Sequence, residues 1–175
     1  EGGRLDLAKT QVCAPPWADF GLVVNTTDRK GGIVPSDQKA QVLRKATAAL
    51  LAARDERGNP IVTAVLEAGQ LAGLGIGGAA GADAFMDFSL GLYPSTRRSA
   101  NFTDAMPKPN GVHGFLPYRT KMHAIWYARG AGLASGVRLP MLRQVDIMPT
   151  LAAALGFPPP PQAIGVAVGQ ALRKP

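Results

Sequence analysis

The stretch FGLVVN (residues 20–25), followed by a helical pattern and then by IVTAVL (residues 61–66), decides the fold. Both short runs are apolar and rich in β-branched residues, which predicts two buried strands. Between them, Ser36 is a suitable N-cap, Asp37 places a negative charge in the first turn, and the pattern is helical up to Arg57. A strand, a long helix and a second strand in this order predict a parallel sheet of an α/β fold.

The region after the second strand combines small residues with a short apolar run. Residues 70–81 are rich in Gly and Ala but lack the Gly-Lys-Ser/Thr ending of a phosphate-binding loop, so they predict a flexible connection. The run 84–88 predicts a short strand. The polar segment 89–121 predicts a functional loop, because loops of this length are unusual inside a compact domain. Residues 1–19 show no clear period and predict an irregular lead-in.

The last third of the chain contains a strand pattern, a short helix and a proline-rich tail. AIWYA (124–128) predicts a buried strand, and residues 146–155 predict a helix. Pro149 falls near the first turn of this helix and Gly156 directly after its end, which are the favoured positions for these residue types. Four successive prolines in 157–161 predict a stiff, extended start to the tail.

The composition is that of a folded chain with a modest positive charge. The 175 residues include 19 Lys and Arg against 12 Asp and Glu, for a formal net charge of +7. The nearest approach to a basic cluster is Arg97-Arg98 with Lys108, Arg119 and Lys121, and no block of five occurs. This spread disfavours a nucleic-acid-binding protein and favours a solvated surface or a rim that attracts an anionic substrate.

Chain length and cysteine content limit the number of domains and the kinds of disulfide or metal site that the chain can contain. The length predicts one domain or one large piece of a bigger one, and the chain begins at Glu1, as a processed or partial chain does. The lone Cys13 excludes a disulfide framework and a cysteine-rich zinc site. The longest weakly polar stretch, 71–82, is too short and too rich in glycine for a transmembrane helix, so no membrane span is predicted.

Two histidines are the main candidates for chemistry. His113 lies in GVHGF (111–115), where nearby glycines let a partner approach closely, and such a loop imidazole suits a ligand or catalytic role. His123 opens an apolar run, a position that by itself favours a half-buried structural histidine over a direct role. No complete catalytic motif is present, and Asp146 at a helix start is explained by capping.

A string of motifs in the second half of the chain carries a family resemblance. The motifs are GVHGF (111–115), MHAIW (122–126), ARG (128–130), VDIMPTL (145–151) and LGFP (155–158). Their order and spacing resemble the C-terminal part of the alkaline phosphatase superfamily, in the branch of type I phosphodiesterases and nucleotide pyrophosphatases. The resemblance covers roughly residues 20–165.

The resemblance implies a fold, a reaction and a cofactor. The fold would be a three-layer α/β/α sandwich, of which residues 1–175 form the C-terminal portion, with 89–121 as the site loop and 157–175 as the tail. Such enzymes hydrolyse phosphodiester or pyrophosphate bonds through a covalent phospho-enzyme. Two zinc ions neutralise the transferring phosphoryl group and lower the pKa of the attacking groups.

Carried over residue by residue, the resemblance assigns few roles to this chain. His113 matches a zinc ligand, and His123 matches a histidine that orients the site without binding metal. Asp146 and Thr150 match a string that begins a packing helix, which implies a structural role. The nucleophile and the other ligands lie upstream in the family, so the chain is expected to lack the N-terminal half of its catalytic domain and to be inactive alone.

Two alternatives remain open at this point. One is a sulfatase or phosphomonoesterase of the same superfamily, since substrate choice lies mostly in parts that are not present here. The other is a non-catalytic α/β module that binds anionic ligands or a partner protein, which the missing ligands and the basic loop between Arg97 and Lys121 favour. By resemblance alone, the protein is expected to be extracytoplasmic, either periplasmic or secreted.

Overall fold

A computed structural model describes residues 5–15, 20–74, 81–95, 101–108 and 110–173. The chain divides into two compact units, Glu1–His123 and Ala124–Pro175. The first unit holds the sheet and the main hydrophobic core. None of the helices in the described ranges combines the length and apolar character that crossing a bilayer requires.

The sheet of the first unit has four strands in the order β1-β2-β4-β3. The strands are β1 (Val12–Cys13), β2 (Gly21–Val24), β3 (Val62–Glu67) and β4 (Ala84–Phe88). Every neighbouring pair is antiparallel, with Leu22 of β2 opposite Ala84 of β4 and Val65 of β3 opposite Met86. The sheet is joined by the helices α1 (Lys39–Ala52) and α2 (Ala68–Gly73). The mixed α and β content predicted from the sequence is thereby confirmed in its coarse form.

The predicted parallel pairing of the strands at 20–25 and 61–66 is wrong. Both strands are present as β2 and β3 and run in the same direction, but β4 lies between them and is antiparallel to each. The result is a split β-α-β unit. The physical reason is burial, because four of the five β4 residues are buried, whereas β3 has only one buried residue and takes the edge of the sheet.

The core is built from the strands and one face of α1. All four residues of β2 are buried, and α1 contributes one buried residue, Leu43. The cluster consists of Phe20, Leu22, Val24, Val34, Leu43, Ile61, Val62, Ala84, Met86 and Phe88. Burying a large apolar side chain stabilises the fold by roughly 1.5–3 kcal/mol. Packing in this cluster holds the strands together, and therefore also holds the residues at their ends.

Helix α1 is shorter at both ends than the sequence pattern predicts. A turn of 3₁₀ helix over Ser36–Gln38 precedes it, no side chain caps its start, and it ends at Ala52 rather than Arg57. The early end follows from Asp55, whose Oδ1 accepts hydrogen bonds from the backbone N–H groups of Arg57 (2.9 Å) and Asn59 (2.8 Å). A side chain that satisfies nearby backbone donors competes with the helix for them.

The Gly/Ala-rich region 70–81 begins with ordered structure. Helix α2 covers its first residues, and Glu67 and Gln70 form a reciprocal capping box at its start, in which the Glu67 N–H donates to Gln70 Oε1 at 2.9 Å. The prediction of a flexible connection is therefore wrong for residues 70–73. Residues 75–80 lie outside the described residues.

The second unit is organised by one helix, α3 (Ile147–Leu155). It ends as predicted at Gly156, which adopts the left-handed conformation with φ of 75°. The predicted strand at 124–128 is absent, and Ile125 and Tyr127 are 79% and 87% exposed. In the part of the chain that the structure describes, no backbone hydrogen bond joins this segment to another strand. A strand pattern alone cannot produce a strand where the pairing partner is lacking.

Candidate functional site

The loop that carries His113 is fixed by the residue that follows it. Gly114 has a φ of +93°, and a Cβ atom at this position would lie 2.1 Å from Cε2 of Phe20. Only glycine adopts this conformation without strain and leaves room for the ring. Phe20 itself is 2% exposed in the core. The backbone beside His113 is therefore held directly against the first residue before β2.

Phe20, which contacts Gly114, also packs against four other aromatic rings. The ring of Phe20 lies 5.5 Å from those of Phe85 and Phe88, 5.2 Å from Tyr93 and 5.6 Å from Phe115, measured between centroids. These separations are typical of favourable tilted and edge-to-face pairs. Leu116, the next residue in the loop, is completely buried. His113 is exposed, but the three residues after it pack against the sheet.

A buried carboxylate on β4 holds the far end of the same loop. Asp87 has no exposed surface, and its Oδ2 accepts hydrogen bonds from Arg119 Nε (3.0 Å), Arg119 Nη2 and the Tyr118 hydroxyl (3.1 Å). The hydroxyl of Thr63 on β3 donates to the backbone oxygen of Asp87 (3.0 Å) and accepts from Arg119 Nη2 (2.8 Å). We call Asp87, Arg119, Tyr118 and Thr63 the sheet clasp.

Arg119 is the centre of the sheet clasp. Its side chain is 13% exposed, and its guanidinium carbon lies 5.5 Å above the centroid of the Phe115 ring. Partial burial, the negative charge of Asp87 and the hydrogen bond to it raise the pKa of the Tyr118 hydroxyl. The second carboxylate oxygen of Asp87, Oδ1, is buried without a hydrogen-bond partner among the described residues.

The sequence pattern does not predict the sheet clasp. The spread of basic residues predicts that Arg119 belongs to a solvated surface or rim, and this prediction is wrong for Arg119 because its side chain is paired with the buried Asp87. One signal was available, namely a charged residue inside the apolar strand AFMDF (84–88), since a buried charge requires a partner. Arg97 and Arg98 lie outside the described residues.

Asp83 and Asp87 lie towards opposite ends of β4 and bind different partners. Asp83 directly precedes β4, whereas Asp87 lies near its other end. The Asp83 carboxylate is engaged by Lys39 Nζ at 2.6 Å and by the backbone N–H of Val24 at 2.7 Å. A surface cavity of about 430 Å³ adjoins it, and charged residues of both signs line this cavity. Asp83 is thus accounted for by structural contacts.

The side chains of both histidines are exposed, and no hydrogen bond connects them among the described residues. His123 follows a 3₁₀ turn over Thr120–Met122, and its backbone N–H donates to Thr120 O at 3.1 Å. Neither imidazole makes a hydrogen bond to another described residue, and none joins His113 to His123. The structure therefore places both rings where a ligand has access, without bringing them together.

The described residues do not complete a metal site. Nowhere in these ranges do three His, Cys, Asp or Glu side chains gather closely enough to hold an ion. Zinc sites in proteins use at least three protein ligands. The accessible imidazole of His113 fits one ligand position, and the remaining ligands of a zinc centre are not supplied by these residues.

In the second unit, Asp146 and Thr150 attach the tail to α3. Asp146 accepts hydrogen bonds from Arg143 Nε (2.9 Å) and Nη2 (2.7 Å) and from the backbone N–H of Val166 (3.0 Å). The buried Thr150 hydroxyl donates to Asp146 O (2.6 Å) and accepts from the N–H of Val168 (2.9 Å). These five residues are the tail clasp, and its contacts are structural.

Two features follow from the tail clasp. The carboxylate of Asp146 makes no capping hydrogen bond to the helix, so the capping interpretation is wrong. Hydrogen bonds from the Arg143 side chain and from the Val166 N–H lower the pKa of Asp146. A Cβ atom on Gly165 would lie 2.0 Å from Val145 O, so glycine is required where the tail meets the helix start.

Comparison of the chain with models of protein families, with curated proteins and with solved structures finds no match. The resemblance to the alkaline phosphatase superfamily therefore depends on the motif string between residues 111 and 158. Within that string, the structure gives separate environments to its two halves. GVHGF lies in the first unit, and VDIMPTL forms the start of α3 in the second.

Proposed function

We propose that this chain is the C-terminal part of a metal-dependent hydrolase of the alkaline phosphatase superfamily that cleaves phosphodiester or pyrophosphate bonds. The complete catalytic domain would be a three-layer α/β/α sandwich. The observation that supports the proposal most directly is the exposed imidazole of His113 on a loop anchored through Gly114 and Phe20. Residues that pack around a ligand loop keep its donor atom in a defined position.

The environment of His113 agrees with a ligand role. A neutral imidazole nitrogen must be free to bind a metal, and the ring of His113 has no hydrogen-bond partner among the described residues. His123 is exposed four residues after Arg119, and we propose that it orients the site without binding metal. Zinc would supply charge neutralisation to the phosphoryl group.

The rest of the active site would come from the N-terminal half of the domain. That part would supply the nucleophile and the other zinc ligands, and the partners of this chain would be that half and the phosphate-ester substrate. The isolated chain is therefore expected to be inactive. An extracytoplasmic location, periplasmic or secreted, is part of the same proposal.

Zinc content is the measurement that tests the proposal. The 175-residue chain is dialysed against a weak chelator, and zinc per chain is measured for the unchanged protein, for His113→Ala and for the control His123→Ala. We expect no zinc, or a weakly held fraction that only His113→Ala removes. In the longer protein, His113→Ala is expected to remove one zinc and most activity on bis(p-nitrophenyl) phosphate. Two tightly held ions in the 175-residue chain, or full activity of His113→Ala, would contradict the proposal.

Substrate class is tested in the same longer protein. Bis(p-nitrophenyl) phosphate, p-nitrophenyl phosphate and p-nitrophenyl sulfate report diesterase, monoesterase and sulfatase activity, respectively. We expect the diester to be hydrolysed fastest. A faster reaction with the sulfate or the monoester would assign the chain to the corresponding relative.

A second candidate is a non-catalytic module that binds a partner protein or an anionic ligand. It is favoured by the exposed side chains of Ile125 and Tyr127, because contiguous exposed apolar residues often mark interaction surfaces. Binding of the chain to heparin at several salt concentrations tests the anionic form of this candidate. Affinity that falls steeply with salt supports it, and absence of binding removes that form.

A further inference from the structure

We propose that Asp87 and Arg119 are positioning residues for His113, which act by holding the loop 113–119 onto the sheet. The inference depends on the proposed function only for the metal-binding role that it gives to His113. Neither residue touches the imidazole in the structure. Their effect passes through the loop backbone and the side chains between His113 and Arg119.

The loop is attached at three successive points after His113. Gly114 packs on the Phe20 ring, Leu116 is fully buried, and Arg119 reaches Asp87 on β4. The backbone N–H of Arg119 also donates to Leu116 O at 3.2 Å, which closes a turn between two of these points. The described contacts that hold the loop beside His113 therefore lie on the C-terminal side of this residue.

The attachment by Arg119 depends on the shape of its side chain. The planar guanidinium donates through Nε and Nη2 to Asp87, donates through Nη2 to Thr63, and lies over the ring of Phe115. A lysine ammonium has the same charge but cannot make these directional contacts together. Arg119→Lys therefore tests geometry separately from charge.

Asp87 has little capacity to compensate for the loss of Arg119. Its Oδ1 has no hydrogen-bond partner among the described residues, so the side-chain hydrogen bonds that this carboxylate accepts from them all go to Oδ2. Without Arg119, the donors left to this carboxylate among the described residues would be the neutral hydroxyls of Tyr118 (3.1 Å) and Thr63 (3.3 Å). Water would have to enter between the loop and β4 to solvate it, and the loop would separate from the sheet.

The test measures order in the loop and not only stability. Backbone amide exchange at positions 119 and 122, whose N–H groups donate to Leu116 O (3.2 Å) and Arg119 O (2.8 Å) at the end of the loop, and the NMR signals of the His113 ring are recorded in the 175-residue chain for Arg119→Lys and Asp87→Asn. We expect exchange in the loop to rise about tenfold or more, with broadened His113 signals, while the amides of β2 and the far-UV circular dichroism stay unchanged. Arg143→Lys, which alters the tail clasp, is the matched control and should leave His113 unchanged.

The outcomes separate this inference from the proposed function. If loop exchange and the His113 signals are the same in Arg119→Lys, Asp87→Asn and the unchanged chain, the positioning role is wrong. If they change as expected but His113→Ala leaves the zinc content and activity of the longer protein unchanged, the positioning role stands and the metal role is wrong. Should Arg119→Lys or Asp87→Asn fail to fold, Tyr118→Phe removes one donor to Asp87 and should give a smaller change in the same direction.

Discussion

The sheet clasp and the tail clasp use the same pair of residue types in different surroundings. In the sheet clasp, Asp87 and Arg119 have side chains that are 0% and 13% exposed. In the tail clasp, Asp146 is 10% exposed and Arg143 is 65% exposed. An ion pair that includes an exposed partner contributes little, whereas breaking a buried one leaves an uncompensated charge. We therefore expect burial, more than the identity of the two residues, to determine how much stability is lost when the ion pair of each clasp is broken.

The largest effect is expected from Arg119→Met, which removes the one cation that pairs with Asp87 among the described residues. The buried carboxylate would lose its counter-charge, so the free energy of unfolding should fall by about 3–5 kcal/mol. Urea unfolding followed by circular dichroism measures the loss. The double variant Asp87→Leu with Arg119→Met should recover part of it, because an apolar pair leaves no buried charge. A loss below about 1 kcal/mol for Arg119→Met would mean that the two clasps are energetically alike.

An intermediate effect is expected from Thr150→Val in the tail clasp. Thr150 is fully buried, and its loss leaves the N–H of Val168 without an acceptor, which costs about 1–3 kcal/mol. Amide exchange at Val168 measures the release of the tail, and Thr150→Ser, which keeps the hydroxyl, is the control. Unchanged exchange at Val168 in Thr150→Val would show that the tail is held by other contacts.

The smallest effect at neutral pH is expected from Arg143→Gln, because most of the Arg143 side chain is exposed to solvent. Its influence should appear in acid. The pKa of Asp146 is lowered in the folded chain, so this carboxylate stabilises the fold above its ordinary pKa, and the contribution is lost as pH falls through the lowered value. Arg143→Gln should move this loss to higher pH.

A series of urea unfolding curves from neutral to acid pH, for the unchanged chain and Arg143→Gln, measures that displacement. Arg138→Gln is a suitable control, since no ion pair of Arg138 is found in the described ranges. Identical acid profiles for all three proteins would show that the Val166 N–H alone sets the pKa of Asp146. The tail clasp would then be a backbone contact to which the arginine adds nothing.

The elements that depend on local pattern could be predicted from the sequence. β2, β3, β4 and α3 lie close to the expected positions, because a short apolar run or a helical repeat ended by Gly156 contains the necessary information. Strand order could not be predicted, since β4 enters between β2 and β3 through contacts distant in sequence. The pattern at 124–128 failed for a related reason, because it specifies a strand but supplies no neighbour.

The candidate site was predictable only in part. An exposed His113 in a glycine-containing loop was expected, and its exposure is what the structure has. The support of that loop was not expected, because the need for glycine at position 114 is visible only against the ring of Phe20. Likewise, Asp87 and Arg119 are 32 residues apart, and nothing in the local sequence specifies that they meet. Whether His113 binds zinc stays a prediction.

The placement of β4 has a consequence for the growing chain on the ribosome. β2 pairs with β1, which is synthesised before it, but the hydrogen bond from Val24 on β2 reaches Asp83, 59 residues later. At synthesis rates of roughly 5–20 residues per second, β2 waits about 3–12 seconds for this partner. Its other edge remains unpaired during that interval and is open to association with neighbouring nascent chains. Helix α1 is synthesised within the same interval. It can therefore cover one face of β2 before β4 pairs with the second edge of that strand.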